Sequence, residues 1–193
     1  MTEIDDLRAE ISAHPDNAWA RAVGYEPLFV ASPEARVLLI SQAPGRRAQD
    51  SGIPFDDPSG RLLRSWLGTT DEEFYDPRLV AIVPMDFYYP GKAASGDVPP
   101  RRGFAELWHP RVLPLLTEVR LTVLVGADAQ RHYLGPRAGR PLPETVRAAA
   151  EHHPYFPIVH PSPLAGVWRR RNPWFEEETV PVLAERVRAA LDG

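Results

Sequence analysis

Four short, predominantly apolar runs recur along the chain, none with the alternation of a half-exposed strand. They lie at 36–40, 79–83, 121–125 and 156–159. Continuous apolar runs of this length are typical of strands buried on both faces of a parallel sheet. Helical patterns separate and flank them, at 2–13, 60–67, 104–119, 128–134, 142–151 and 173–191. The alternation predicts an α/β fold, a three-layer αβα sandwich around a central, mostly parallel four-stranded sheet.

Caps and prolines set the predicted helix ends. Thr2 is expected to cap the first helix, and a break in the 104–119 pattern is expected at Pro110 or Pro114. After the fourth strand, prolines are expected to prevent helix formation until Asn172 caps the last helix.

Composition narrows the class of protein. The 193 residues, 44% of them hydrophobic, can bury one sizeable core, so we expect a single domain over 1–193. The absence of cysteine excludes disulfides and cysteine-ligated zinc or iron–sulfur centres, and no metal-ligand spacing appears, so no cofactor is expected. Without a signal-like start or a membrane-length apolar run, we expect a soluble, cytoplasmic monomer with no membrane partner. The net charge of −4 permits only a local basic face for nucleic acid.

Loops after the strands carry the candidate chemistry, because functional groups of an open parallel sheet lie at the carboxyl ends of its strands. Residues 41–63 form a long excursion, 84–92 combine three aromatics with an acid, and 160–172 begin with His160. We therefore expect the three loops to converge on one edge of the sheet.

The His160 loop has the order expected of a site that meets a polyanion and inserts an apolar side chain into it. His160 is followed by Leu164 and then by three arginines without an acid among them, at 169–171. A histidine before proline at the end of a strand is also a common surface turn. The functional interpretation therefore requires a partner elsewhere in the chain.

Such a partner is present, and the two motifs together resemble those of the uracil-DNA glycosylase superfamily. Ser41-Gln42-Ala43-Pro44-Gly45 is similar to its first motif, and His160-Pro161-Ser162-Pro163-Leu164 to its last. The spacing from Gly52 and Phe55 to 59–63 is similar to the branch that usually carries an iron–sulfur cluster. The resemblance covers about 34–190 and indicates a cysteine-free branch without a cluster.

The resemblance implies roles for individual residues. The histidine matching His160 faces the carbonyl oxygen of the leaving base, with Gln42 and its turn assisting, and Phe55 stacks on the flipped base. On the residues alone, Phe55 could equally be a core aromatic. Leu164 follows the last motif as the wedge does, and further contacts to DNA are expected from Ser162, Arg169, Arg170 and Arg171.

Departures from the family pattern affect the chemistry. Ala43 stands where the best-known branch has an aspartate, so the usual water-activating carboxylate is missing, and Gly45 replaces a tyrosine that excludes a 5-methyl group. Asp50 is the first candidate to replace the carboxylate and Asp86 the second, although either is as consistent with a turn or cap. Asp86 is also a candidate for reading the edge of the base. Lys92 is a candidate for a DNA-backbone contact, and no lysine nucleophile is evident.

Two functions remain open. The first is a monofunctional DNA N-glycosylase of base excision repair that flips uracil or a related damaged base and hydrolyses its glycosidic bond. The alternative is a binding module for a nucleotide or damaged nucleic acid on the same fold, because the expected carboxylate is absent. Both name DNA or its components as the partner.

Overall fold

A parallel four-stranded sheet forms the centre of the computed structural model, which describes residues 2–94, 96–138, 142–162 and 165–193. Its strands are β1 (Val37–Ile40), β2 (Val80–Ile82), β3 (Leu121–Val125) and β4 (Tyr155–Ile158), in the order β2-β1-β3-β4. Every neighbouring pair is parallel, with Val37 opposite both Val80 and Leu121. The predicted fold class is confirmed.

Helices occupy the connections between the strands and lie on both faces of the sheet. They are α1 (Glu3–Ala13), α2 (Ala18–Ala22), α3 (Arg46–Ser51), α4 (Pro58–Leu67), α5 (Asp71–Tyr75), α6 (Phe104–Val112), α7 (Ala127–Leu134), α8 (Leu142–Arg147), α9 (Gly166–Arg171) and α10 (Val180–Asp192). Short 3₁₀ turns lie at Pro15–Asn17, Leu113–Leu115, Gly135–Arg137 and Ala149–Glu151, and a π-helical turn at Phe175–Thr179 precedes α10. Among the described residues, no helix is long and apolar enough to cross a membrane.

Strand β1 shows why its apolar run does not alternate. Leu38 and Ile40 pack into a core with α1, α6 and α7, whereas Val37 and Leu39 pack into a second core with α4, α8 and α10. Because successive strand side chains point to opposite faces, a strand with a core on each side needs apolar residues at every position.

The edge strand β2 is covered as well. Val30 and Ile82 exchange backbone hydrogen bonds of 2.8 Å in both directions. This short antiparallel bridge satisfies part of the open edge of β2, which limits pairing with another chain.

Helix boundaries were predicted less well than strands. The Thr2 cap is confirmed, because the Asp5 N–H donates to Thr2 Oγ1 and the Thr2 N–H donates to Asp5 Oδ2. The 104–119 helix ends at Val112, with Pro110 inside it and Pro114 in the following 3₁₀ turn, so the predicted extension to 119 is wrong. Helices α2, α3 and α5, each of five or six residues, had no predicted counterpart.

The expectation of no helix before Asn172 is also wrong, because α9 forms at Gly166–Arg171, a stretch that contains no proline. Asn172 ends this helix instead of starting the next. Its amide nitrogen donates to the Trp168 carbonyl at 2.8 Å, and its amide oxygen accepts from Trp174 Nε1 at 3.2 Å. The last helix begins with a π-helical turn because Pro181, in its first α-helical turn, has no N–H to donate to Glu177.

The excursion after β1 folds back on the first turn of α4 at a very close approach. Phe55 has a φ of +56°, an uncommon conformation for a residue with a side chain. A Cβ on Gly60 would lie 1.8 Å from the Phe55 carbonyl oxygen, so only glycine fits there. The contact fixes where the Phe55 backbone lies relative to α4.

We expect Gly60→Ala to lower the free energy of unfolding by at least about 2 kcal/mol, since a backbone carbonyl cannot move aside as a flexible side chain can. Urea denaturation measures the change. Ser59→Ala, at the neighbouring helix position, is the matched control and is expected to change stability by under about 0.5 kcal/mol. Equal stability of the two variants would contradict the close approach.

Candidate functional site

The loops after β1 and β2 are joined by their backbones. The Met85 N–H donates to the Ser41 carbonyl at 2.8 Å, and the Asp86 N–H to the Gln42 carbonyl at 3.0 Å. These bonds continue the pairing of β1 and β2 beyond the sheet. The turn at Ser41–Gly45 is therefore held rigidly at the carboxyl edge.

The side chain of Gln42 is held by the loop after β3. Gln42 Nε2 donates to Asp128 Oδ2 at 2.5 Å, and Asp128, in the first turn of α7, also accepts from Arg131. Because a carboxylate can only accept, this bond fixes the amide of Gln42 with its nitrogen toward Asp128.

His160 reaches the same place from β4. Gly126, directly after β3, has a φ of +89°, and a Cβ on it would lie 3.5 Å from Cβ of His160 and 3.7 Å from Cγ of Gln42. The glycine thus separates the two side chains by little more than a van der Waals contact on each side. Two motifs nearly 120 residues apart in the sequence meet there.

A cavity of about 460 Å³ opens beside this contact. Six of the sequence-predicted site residues line it: Gln42, Ala43, Gly45, Phe55, His160 and Ser162. The Phe55 ring is half-buried and packs edge-on against Phe74, with 6.1 Å between ring centroids. The structure therefore brings together both motifs and the aromatic of the long excursion.

Asp57 also lines the cavity and was not predicted as a site residue. Its Oδ1 accepts the Gly60 N–H at 2.8 Å and so caps α4. Its Oδ2 lies 3.8 Å from the position that a Cβ on Gly45 would take. An aspartate before proline at a helix start is explained by its role as a cap. The sequence therefore gives no sign that Asp57 also lines the cavity.

A hairpin after β2 closes another side of the cavity. The Ala93 N–H donates to the Gly96 carbonyl at 3.1 Å, and the Val98 N–H donates to the Gly91 carbonyl at 2.9 Å. Lys92 and Asp97 lie across from each other on it, with 3.8 Å between Nζ and Oδ1, and both line the cavity. Asp97 was likewise missed, since no spacing in the sequence relates it to either motif.

Burial and nearby carboxylates shift the pKa of His160 in opposite directions. Burial lowers the pKa of His160, while the carboxylates of Asp57, Asp128 and Asp97 act to raise it, and burial prevails. The imidazole is therefore neutral near pH 7 and carries one N–H. In the described part of the chain no group forms a hydrogen bond with its ring, so this N–H can serve a ligand.

His109 supports the wall of the cavity from behind. It lies inside α6, and it is buried. Its Nε2 donates to the carbonyl of Pro84, a lining residue, at 2.9 Å, and Nδ1 accepts from the Tyr133 hydroxyl. Burial lowers the pKa of His109 to about 4, so it stays neutral and structural.

The two acids singled out from the sequence lie away from the cavity. Asp50 is half exposed on α3, where it accepts from the Tyr25 hydroxyl at 3.2 Å and pairs with Arg46 at 3.5 Å. Asp86 is fully buried and accepts two bonds from the guanidinium of Arg101, Nε to Oδ2 at 2.7 Å and Nη2 to Oδ1 at 2.8 Å. The expected replacement of the missing carboxylate by either residue therefore receives no support from the geometry.

The residues expected to contact DNA differ in their surroundings. Leu164 lies outside the described residues. Arg169 is paired with Glu176 at 2.6 Å, while Arg170 and Arg171 are exposed on α9. Within the described ranges no three histidine, aspartate or glutamate side chains group so as to hold a metal ion.

Comparison with known protein families agrees with this geometry. The family model for the uracil DNA glycosylase superfamily matches residues 29–184. The chain belongs to that superfamily. The matched segment contains all four strands, both motifs and each described residue that lines the cavity.

The two departures from the family pattern, Ala43 and Gly45, can now be located in the structure. Ala43 and Gly45 line the same cavity as His160, and their small size leaves room there. The resemblance found in the sequence is confirmed, whereas the roles of individual residues stay predictions.

We expect Asp86→Ala to lower the free energy of unfolding by about 2–4 kcal/mol, because it leaves the guanidinium of Arg101 partly buried without its carboxylate. Asp50→Ala is the matched control: its exposed i,i+4 pair with Arg46 is worth under about 1 kcal/mol. Thermal and urea unfolding measure both. A full loss of base release in a stably folded Asp50→Ala variant would return Asp50 to the site.

Proposed function

We propose that the protein is a DNA N-glycosylase that hydrolyses the glycosidic bond of uracil or a related deaminated base flipped into the cavity. One observation carries the proposal: His160 and Gln42 meet across Gly126 in a cavity also lined by Phe55. Superfamily membership supports the reaction class.

In the transition state of the reaction, positive charge develops on the sugar and negative charge on the leaving base. Donors that face the base oxygen and a carboxylate near the sugar lower the barrier. The neutral His160 supplies an N–H donor that does not depend on protonation near pH 7. Because His160 is partly buried, its hydrogen bond to the developing anion is stronger than it is in solvent.

Asp57 is the carboxylate that we propose for the sugar side. Its bond to the Gly60 N–H fixes one oxygen, while the other faces the turn that carries Gly45. A carboxylate fixed in this way needs little reorganisation during the reaction, as electrostatic catalysis requires. Asp97, the other cavity acid, is already close to Lys92.

Stacking and pocket width set the choice of base in this proposal. Phe55 supplies a half-buried aromatic wall, and its backbone is fixed by the approach of Gly60. With Ala43 and Gly45 on the lining, no large side chain from that turn excludes a substituent at the 5-position. We therefore propose a pocket that tolerates 5-substituted pyrimidines.

Replacing His160 tests the base side of the site. We expect His160→Ala to lower the rate of uracil release by about 10²-fold or more, by analogy with the loss of an oxyanion donor. The measurement is alkaline cleavage of single- and double-stranded DNA containing one uracil. His153 is exposed and precedes the amino end of β4, at the opposite edge of the sheet from the cavity. His153→Ala is therefore the control and should keep the wild-type rate.

Full activity of a folded His160→Ala variant would remove the histidine from the reaction. If the wild type releases no base from uracil, hypoxanthine or xanthine substrates yet binds them, the binding-module alternative replaces the glycosylase.

Replacing Asp57 tests the sugar side without loss of the helix cap. Asparagine caps helices as well as aspartate does, so Asp57→Asn is expected to keep the unfolding free energy within about 0.5 kcal/mol. Base release is expected to fall by about 10²- to 10⁴-fold because the charge is gone. Asp56→Asn, which removes the adjacent acid paired with Arg47, is the matched control. An Asp57→Asn variant as fast as Asp56→Asn would assign the carboxylate role elsewhere.

A further inference from the structure

The chain contains one lysine, and that lysine lines the cavity. Lysine and arginine together number 22, and 21 of them are arginine. Lys92 stands on the hairpin that borders the cavity opened beside His160. The other 21 are arginines, whose side chains end in a guanidinium group.

The distinction matters chemically. An arginine side chain stays protonated in proteins and offers no lone pair to a carbonyl carbon. A lysine amine adds to carbonyl compounds and forms Schiff bases, which is a standard route of covalent catalysis. The cavity therefore contains the chain's single side-chain amine capable of this reaction.

The hairpin holds this amine in a defined place. Its two strands are paired through the backbones of Gly91 and Val98, and the Arg101 N–H beyond it donates to the buried Asp86 at 3.2 Å. The Lys92 side chain is 76% exposed and lines the cavity, so its amine is accessible to a ligand bound there. Asp97 Oδ1, 3.8 Å from Nζ, supplies a carboxylate that can accept a proton.

We propose that Lys92 gives the cavity a second activity, cleavage of the DNA strand at an abasic deoxyribose through an imine. The proposal rests on the proposed function for the origin of its substrate, because base release leaves an abasic sugar in the cavity. It departs from the expectation of a monofunctional enzyme, which rested on no lysine nucleophile being evident in the sequence.

The steps balance without an oxidant or reductant. Lys92 gives its ammonium proton to Asp97, and the free Nζ adds to C1′ of the open-chain aldehyde. The C1′ oxygen takes this proton back from Asp97 and a second proton from Nζ, and it leaves as water to give a protonated imine. Asp97 takes a proton from C2′, the C3′–O bond breaks, and the 5′-phosphate of the downstream strand leaves with the electron pair. One water then hydrolyses the imine, which frees Lys92 and leaves an unsaturated aldehyde on the upstream strand.

The test uses the full chain and DNA with one preformed abasic site, with and without cyanoborohydride. We expect the wild type to form a covalent protein–DNA adduct on a denaturing gel and, without reductant, to nick the strand at least about tenfold faster than Lys92→Arg. Lys92→Arg keeps the charge and is expected to form no adduct.

A relocated lysine supplies the matched control. The double variant Lys92→Arg with Arg78→Lys keeps one lysine but moves it to the exposed start of β2, at the opposite edge of the sheet. We expect it to form no adduct either. An adduct of wild-type yield in Lys92→Arg would assign the reaction to the amino terminus and overturn the proposal.

Asp97→Asn separates the two chemical steps. We expect this variant still to form the trapped adduct but to nick the strand about 10²-fold more slowly, because the C2′ proton has lost its acceptor. Unchanged nicking would remove Asp97 from the mechanism.

The preformed abasic site separates this proposal from the glycosylase. A wild type that releases uracil but neither traps nor nicks abasic DNA overturns the lyase alone. A wild type that traps abasic DNA but releases no base overturns the proposed glycosylase and leaves the lyase standing.

Discussion

The turn at Gly126 brings the two motifs together, and its positive φ is one that glycine adopts without strain. A methyl group on this residue would stand in contact with both Gln42 and His160, and its φ of +89° is a conformation that other residues rarely adopt. The strands β1, β3 and β4 end at one edge, but the turn at Gly126 sets how closely their first loop residues approach. A Cβ here would lie at ordinary van der Waals distances from both side chains, so the positive φ, and not a lack of space, favours glycine at this turn.

The strands were predictable because burial on both faces leaves a strong sequence signal. Val37–Ile40 is apolar at every position, and Leu121–Val125 is apolar at every position except Thr122. The helix after His160 was missed because prolines dominate that loop, although none lies within Gly166–Arg171. Short helices such as α3 carry too few turns for a periodic pattern to show.

The site was predictable only as far as its motifs. Gln42, Phe55 and His160 stand beside short recognisable patterns, and they line one cavity. Asp50 and Asp57 lie in the same loop, and the sequence offers no reason to prefer the second. The difference arises from α3, whose short turn carries Asp50 outward to Tyr25, and from the cap that fixes Asp57 inward. Such distinctions are set by tertiary contacts and not by local preference.

The buried pair of Asp86 and Arg101 fastens both ends of the segment that carries Lys92 and Asp97. Phe87, Tyr88 and Tyr89 at its start are still buried, whereas Lys92 and Asp97 are exposed and contribute little to the core. Such a loop can change its length or its side chains during evolution while the sheet stays as it is. The residues that line this cavity thus come from two sources, the loops held at the strand ends and the exposed hairpin that forms one wall. Proteins with this fold could acquire new chemistry by altering the wall alone.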